Sequence, residues 1–382
     1  MRPVLPAVDG WVVKLKNREI SKIVNLSARK EIFDISWKVT SLCNYQCDFC
    51  IQGDQAAHRK EAEGESRTIR KAVCRKVLDL INDLKDYRMV KLRLIGGEVT
   101  ILRDFPELID VLAGSSFPGY IDFQITTNLS LPSDVFCEII RNVSKNDTSK
   151  RPRRLHIAAS YYAKYVTKEE FLAKIHEICS QTNLISNNNP QKGLLTYLNN
   201  RKRDQSNLPK HTYLSVGYPI LSDSDYVDFL DMQRDLNTFG VSAAPIIIRQ
   251  YHTKVSANIL KQITQDENTP KTVEVTDSEG NTYLFRTMGD LGTALEEAEC
   301  FNPTGMFCDA GINSIRIDAF GNVWRCPVIG SKMIMGNLLD GTFCRIDSPQ
   351  ICTADHCSCT QFSCIQRQPP AAEEQVVSPP RH

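Results

Sequence analysis

Fourteen cysteines in 382 residues, most of them in two groups, constrain this chain more than any other feature. Cys43, Cys47 and Cys50 form one tight group. Cys74, Cys137 and Cys179 stand singly, and eight more lie between Cys300 and Cys364. The first residues show no basic stretch followed by an apolar core, so a secretory signal is not expected and a cytoplasmic location is. In a reducing compartment such cysteines serve as metal ligands or free thiols more often than as disulfides. Two groups flanking a cysteine-poor middle predict two metal sites on different parts of the fold.

Composition narrows the class further. Hydrophobic residues make up 42% and charged residues 24%, as in an ordinary globular protein. No apolar run approaches the roughly 18 residues of a membrane span. Lys and Arg number 46 against 45 Asp and Glu, a net charge of +1. No global field therefore draws the chain to nucleic acid or membrane, and neither partner is expected. At about 150 residues per domain the length allows two to three domains.

Between the cysteine groups the pattern alternates. Strand-like runs are Phe33–Val39, Lys91–Ile95, Ile121–Thr126, Leu155–Ser160, Tyr213–Tyr218 and Ala244–Ile248. Helical spacing falls at about 68–87, 105–114, 132–143, 167–181 and 224–239, the fourth opening on Thr167 with Glu170 three residues on, a capping box. Strand then helix, repeated about six times, predicts a parallel sheet with helices outside, closer to an incomplete barrel than to two packed sheets. Ahead of it, Trp11–Leu15 and Ile23–Leu26 are expected to pair as a small hairpin. Two basic stretches, 143–154 and 185–211, read as solvated surface, with a basic rim for an acidic or phosphorylated substrate as the sharper alternative. The last 18 residues hold four prolines and read as a disordered tail.

Cys43-x3-Cys47-x2-Cys50 follows the first strand directly. Three thiolates on one short loop suit three irons of a cubane [4Fe–4S] cluster and leave the fourth iron open to a small chelating ligand. Spacing alone leaves zinc as a competitor. Barrel folds place chemistry on the loops at the C-terminal ends of their strands. The next such loop carries Gly96-Gly97-Glu98, where two glycines allow close backbone approach and Glu98 accepts from an ammonium group. The third and fourth strands end in Asn128 and Ser160, small polar groups suited to ribose hydroxyls or a carboxylate, or to capping.

These residues resemble the radical S-adenosylmethionine superfamily, over about residues 33–250. The resemblance implies a partial (β/α)6 barrel. It implies an open iron that chelates S-adenosylmethionine, reductive cleavage of the sulfonium to a 5′-deoxyadenosyl radical, and hydrogen abstraction from an unactivated C–H bond. It places Glu98 at the methionine amino group and Phe49 at the adenine, with Gly96 and Gly97 lining the cofactor and Asn128 and Ser160 as ribose or carboxylate contacts. It also implies an external electron donor of flavodoxin or ferredoxin type.

The second group reads Cys308-x12-Gly321-x4-Cys326, a hairpin turning at Gly321, followed by Cys344, Cys352, Cys357, Cys359 and Cys364. It resembles the SPASM/twitch extension of the same superfamily, a small C-terminal β-hairpin/helix module with at least one auxiliary [4Fe–4S] cluster. The tail spacing departs from the two-cluster pattern and favours one. Cys308 and Cys326 are the firm ligands; two more come from Cys352, Cys357, Cys359 and Cys364, with a lean to Cys357 and Cys359. A structural zinc is the competing reading. The expected domains are a lead-in over 1–32, the barrel over 33–255, a linker hairpin and helix over 256–299, the auxiliary module over 300–364 and the tail over 365–382.

Cys74, Cys137 and Cys179 read as core. Cys300 and Cys344 read as packing, with hydrogen donation to a carbon radical as the alternative. His156, His211, Tyr161 and Tyr162 are candidate pocket residues, each more commonly structural. The functional expectation is a radical enzyme modifying a peptide or other natural product. The alternatives are a small-molecule dehydrogenase or epimerase acting on a sugar or aminocyclitol, and a zinc-binding interaction protein without chemistry. Only 42 residues precede Cys43, which disfavours a leader-binding module in this chain.

Overall fold

The computed structural model describes residues 19–25, 31–50, 55–148, 150–182, 212–247, 255–256, 258–259, 273–285, 302–326, 333–354 and 364–367. In chain order the elements begin with β1 (Ile20–Asn25), β2 (Ile32–Thr40), α1 (Gln55–Glu61), α2 (Arg67–Asp83), β3 (Met89–Gly96) and α3 (Phe105–Ala113). There follow β4 (Tyr120–Thr127), α4 (Ser133–Ser144), β5 (Arg153–Ser160), α5 (Lys168–Thr182), β6 (Tyr213–Ile220), α6 (Asp223–Thr238) and β7 (Ser242–Ile247). Short strands complete the list: β8 (Val273–Asp277), β9 (Thr282–Phe285), β10 (Phe307–Cys308), β11 (Ser314–Ile317), β12 (Asn322–Trp324), β13 (Ile334–Asn337), β14 (Gln350–Ile351) and β15 (Cys364–Gln366). Two compact units result: Ile35–Val255 with Asp318–Gly321, and Met1–Asp34 with Ser256–Ile317 and Asn322–His382.

In the first unit the strands run in the order β2-β3-β4-β5-β6-β7, and β3 to β7 pair in parallel. The sheet is open, as expected of a partial (β/α)6 barrel. Period-two alternation sorts its side chains. Leu92, Leu94, Phe123, Ile125, Leu155, Ile157, Leu214 and Val216 are buried on one face. The other face carries Arg93, Gln124, His156 and Tyr213 in one register row. The helices follow from equally local signals. Ser66 caps α2 by accepting from the Ile69 amide at 3.2 Å, and Val73, Cys74, Val77, Leu80 and Ile81 form its buried stripe. Thr167 and Glu170 close the capping box of α5 reciprocally. No described helix is long and apolar enough to cross a membrane.

The basic stretch before β5 is solvated surface at Lys145, Lys150 and Arg151, as expected, but not at its end. Arg153 and Arg154 are both buried. Arg153 donates to the carbonyls of Ala113 (3.2 Å), Gly119 (3.1 Å), Pro152 (3.0 Å), Ser115 (2.8 Å) and Phe117 (3.2 Å), tying the α3–β4 connection together. Burial, with Arg151 acting in the same direction, lowers its pKa to about 10. Arg154 makes a two-pronged pair with Asp122, Nε and Nη2 each at 2.6 Å. A run of like charges in sequence thus resolves into one carbonyl clamp and one buried ion pair. The 185–211 stretch lies outside the described residues.

His156 is stacked on Tyr213 with ring centroids 4.0 Å apart, and its Nε2 lies 2.7 Å from the Ser215 hydroxyl. Burial lowers its pKa to about 4; Asp122 opposes the shift and Arg154 adds to it. Between the ordinary value near 6.5 and about 4, the unfolded chain holds a proton that the folded one does not. Stability is therefore expected to fall as the pH is lowered through that window, by at most about 1.4 kcal/mol per pH unit. Urea unfolding at pH 7, 5.5 and 4.5 checks this, and His156→Gln should flatten the trend; equal slopes in the two proteins would assign the acid sensitivity elsewhere.

The second unit holds an antiparallel sheet in the order β14-β10-β15-β1-β8-β9 and a β11-β12-β13 meander. The expected hairpin is present, with Ile317 opposite Val323 and Gly321 at φ +82° in its turn. β1 pairs with β8 and β15. Trp11–Leu15, the partner expected from the sequence, lies outside the described residues.

Candidate active site

The Cys43–Cys50 loop leaves the C-terminal end of β2. Along it Cys43, Tyr45, Cys47 and Phe49 are half-buried while Leu42, Asn44, Gln46 and Asp48 are exposed. The three thiols share one electrostatic neighbourhood. Burial pushes Cys47 up to about 11, and Cys43 and Cys50 add to the rise. Burial also raises Cys43, with Glu98 and Cys50 acting in the same direction. Three thiolates here would repel one another unless a cationic centre compensates them, which iron does. Among the described residues no three Cys, His, Asp or Glu side chains gather closely enough to ligate a single ion. Every described cysteine is a thiol rather than half of a disulfide.

The turn after β3 runs along the base of this loop. The Gly97 amide donates to the Thr40 carbonyl (2.9 Å) and the Glu98 amide to the Leu42 carbonyl (2.7 Å). The glycines are required by contact: a Cβ on Gly96 would lie 2.1 Å from the Thr40 oxygen, and one on Gly97 2.0 Å from the Leu42 oxygen. Glu98 is buried and faces its own framework. Its Oε1 accepts from the Thr100 amide (3.1 Å), the Thr100 hydroxyl (2.6 Å) and the Thr127 hydroxyl (2.9 Å), and its Oε2 from the Asn128 amide. Burial raises its pKa against those four donors. The carboxylate thus knots the ends of β3 and β4 beside the thiols.

Asn128 is committed in the same way. Its Nδ2 donates to Asn44 Oδ1 (2.9 Å), while Asn44 Nδ2 donates to the Ser130 hydroxyl (2.9 Å). Leu129 between them sits at φ +55°, a left-handed conformation costly for a branched side chain. Lys174 of α5 holds that turn by donating to the Leu129 and Ser130 carbonyls at 2.9 and 3.1 Å. Ser160 ends β5 half-buried, in register with Gly217.

The segment after β5 grips the thiol loop. The Tyr165 hydroxyl donates to the Gln46 carbonyl and accepts from the Gln46 amide, both at 2.6 Å, and its ring stacks on Tyr45 at 4.1 Å. Tyr162 meets Phe49 edge-on at 4.9 Å, and Asp48 pairs with Lys164 at 3.1 Å. Tyr161 turns instead into the core against Phe171 and Tyr218. Tyr165→Phe removes both hydroxyl bonds to Gln46, at about 1 kcal/mol each. We expect the reconstituted visible chromophore to bleach several-fold faster in air; an unchanged rate would show that the clamp does not protect the loop.

Of the expected site residues, Cys43, Cys47, Phe49, Cys50, Gly96, Gly97, Glu98 and Asn128 converge at this edge. Cys308 and Cys326 are buried in the other unit. There β10 lies between β14 and β15, with Cys308 opposite Ile365, and the Asp309 amide donates to the Cys364 carbonyl at 3.1 Å. Burial raises the Cys352 thiol and nearby Cys326 adds to it. Cys357, Cys359, Cys300 and His211 lie outside the described residues. Sequence reasoning missed Asn44, Thr100, Thr127 and Tyr165. Tyr165 stood in a visible aromatic run, but its partner lies 119 residues away.

Comparison with known proteins gives partial matches. GTP 3',8-cyclase of Psychromonas ingrahamii is 29% identical over 125 residues, 32% of this chain and 32% of that protein. The probable GTP 3',8-cyclase of Saccharolobus islandicus is 29% identical over 102 residues, 27% of this chain and 29% of that one. The chain thus matches about a third of the length of these relatives. Among solved structures, Streptococcus suis SuiB bound to precursor peptide SuiA aligns with TM-score 0.41 at 14% identity, covering 82% of this chain and 64% of that one. BtrN in complex with AdoMet and 2-DOIA aligns with TM-score 0.34 at 12% identity, covering 82% and 81%. The Radical SAM superfamily model matches residues 37–184. Those residues run from β2 into α5 and so build the thiol loop with the turns that brace it; this part of the chain is similar to a superfamily of enzymes whose members use S-adenosylmethionine and a [4Fe–4S] cluster.

Proposed function

We propose that this enzyme abstracts hydrogen from an unactivated C–H bond of a peptide or other natural product. The observation that carries this reading is the convergence of Cys43, Cys47 and Cys50 with the Gly96-Gly97-Glu98 turn at one strand edge. Bound there, a cluster and S-adenosylmethionine supply reductive cleavage and the hydrogen-abstracting species. The protein's own part is placement. Cys43, Cys47 and Cys50 hold the metal; Gly96 and Gly97 let the backbone come close; Phe49 and Ser160 line the cofactor; Glu98 and Asn128 fix the turns around it. The polar row Arg93, Gln124, His156 and Tyr213, on one face of the same sheet, supports a substrate rich in hydroxyl or charged groups. That row also favours the alternative of an aminocyclitol or sugar substrate.

Residues 300–364 are the proposed auxiliary-cluster module. Cys308 and Cys326 are its ligands; the pairing of β10 with β15 supports Cys364 as a third, and the influence of Cys326 on the Cys352 thiol supports Cys352, with Cys357 and Cys359 as the further candidates. Electrons come from a flavodoxin- or ferredoxin-type donor. The test is iron and acid-labile sulfide on anaerobically reconstituted protein. About eight irons per chain should fall to about four in the Cys43→Ala, Cys47→Ala, Cys50→Ala triple variant, as for two cubanes. The intact protein with dithionite and S-adenosylmethionine should release 5′-deoxyadenosine, and the triple variant should not. Zinc in place of iron throughout would overturn the proposal.

A further inference from the structure

His58 is the one buried imidazole set against a proposed cluster ligand among the described residues. It lies on α1, eight residues beyond Cys50, with Nε2 3.5 Å from the Cys50 sulfur. Its Nδ1 is buried and has no hydrogen-bond partner. Packing alone does not account for the ring, since an apolar side chain would fill the space without leaving a buried nitrogen unsatisfied. The helix that carries it is also anchored, through Glu61 at its C-terminal end and Glu65 in the connection that follows. Glu65 accepts from the Ser41 amide (2.8 Å) and the Thr40 hydroxyl (2.5 Å). Glu61 accepts from the Ser41 hydroxyl at 3.2 Å and pairs with Lys38. Every one of these partners stands at the end of β2, where the thiol loop begins. The geometry therefore holds His58 to Cys50 through two carboxylates at the root of the loop.

We infer that His58 is a positioning residue that donates Nε2–H to the Cys50 sulfur and thereby raises the reduction potential of the barrel cluster; this rests on the cluster assignment above. A metal-bound thiolate has no proton to give, so the ring must be the donor. The tautomer protonated at Nε2 then leaves Nδ1 as an unpaired acceptor, as observed. Adding an electron increases the negative charge on the cluster sulfurs. A donor on one of them stabilises the reduced state more than the oxidised one, and hydrogen bonds to sulfur are among the factors that set these potentials.

The test is a dithionite redox titration of the full-length reconstituted chain. Dithionite supplies the one electron that takes the cluster from the 2+ to the 1+ state, and electron paramagnetic resonance reads the reduced fraction. The signal missing from the triple cysteine variant is assigned to the barrel cluster. At the wild-type midpoint, His58→Phe should raise the oxidised-to-reduced ratio about tenfold, equivalent to about 59 mV for one electron. His58→Gln, which keeps a donor, should return part of that shift. A His58→Phe midpoint equal to wild type at full iron content overturns the inference. Should His58→Phe lose iron, wild-type protein carrying isotope-labelled histidine decides. Hyperfine coupling of the reduced cluster to a histidine nitrogen supports the bond, and its absence overturns it. A wild-type chain that assembles no barrel cluster would instead sink the cofactor assignment, a separately readable failure.

Discussion

Gly97→Ala is expected to abolish stable assembly of the barrel cluster. The added methyl would lie 2.0 Å from the Leu42 carbonyl oxygen and 2.8 Å from that of Ser41. Both obstacles are main chain, so no rotamer change relieves them. The turn and the loop must part, which strains the Gly97–Thr40 and Glu98–Leu42 hydrogen bonds at about 1 kcal/mol each. Overpacking adds about 1–3 kcal/mol more. Displacing Leu42 also displaces Cys43. We expect about four fewer irons per reconstituted chain, as for one lost cubane. Gly114→Ala is the matched control: its Cβ would find nothing nearer than 3.4 Å at an ordinary φ of −69°, and iron content should stay unchanged. Full iron loading of Gly97→Ala would mean that the contact between turn and loop is dispensable.

Arg153→Ala should give the largest loss of stability away from the site. The guanidinium satisfies four carbonyls from Ala113 to Gly119, at the end of α3 and in the α3–β4 connection, and shares a fifth, that of Pro152, with the Ile121 amide. Its removal leaves a cavity and buried acceptors, at about 1–3 kcal/mol per unsatisfied group. A total of at least about 3 kcal/mol is expected, a fall in Tm of roughly 6–12 °C for a unit of this size. Arg153→Lys should recover little, because one ammonium has three donors and no planar fork. Differential scanning calorimetry of the apo proteins reads this without any cluster. A fall under about 2 °C would show that water replaces the guanidinium in the clamp.

Much of this architecture was legible because it is local. Alternating apolar residues marked β2 to β7, helical spacing marked α2 to α6, and Thr167 with Glu170 marked where α5 begins. The thiol loop and the Gly-Gly-Glu turn were legible because each is a short run at a strand end. What escaped was set by tertiary contact. Nothing near Arg153 in sequence distinguishes it from exposed Lys145; only the returning α3–β4 connection makes it a core residue. Glu98, read from its sequence as an acceptor for an ammonium group, also accepts from Thr100 in the turn after β3 and from Thr127 and Asn128 at the end of β4, partners its local sequence does not announce. His58 meets Cys50 because Glu61 and Glu65 fold back onto β2, a relation without sequence periodicity.

The pairing of β1 with β15 has a consequence for biosynthesis. Lys22 stands opposite Gln366, so the strand made first in that sheet waits for the one made last. The parallel sheet, complete by residue 247, can close while the ribosome is still adding the other unit. β1 emerges early with an unsatisfied edge and stays open to wrong partners until residues 364–366 arrive. Pairings of such long sequence separation are slow to form. A chain stopped short of residue 364 would carry a finished barrel sheet and a first strand lacking its partner on one side, and premature termination should therefore yield aggregates seeded at residues 20–25 rather than at the thiol loop.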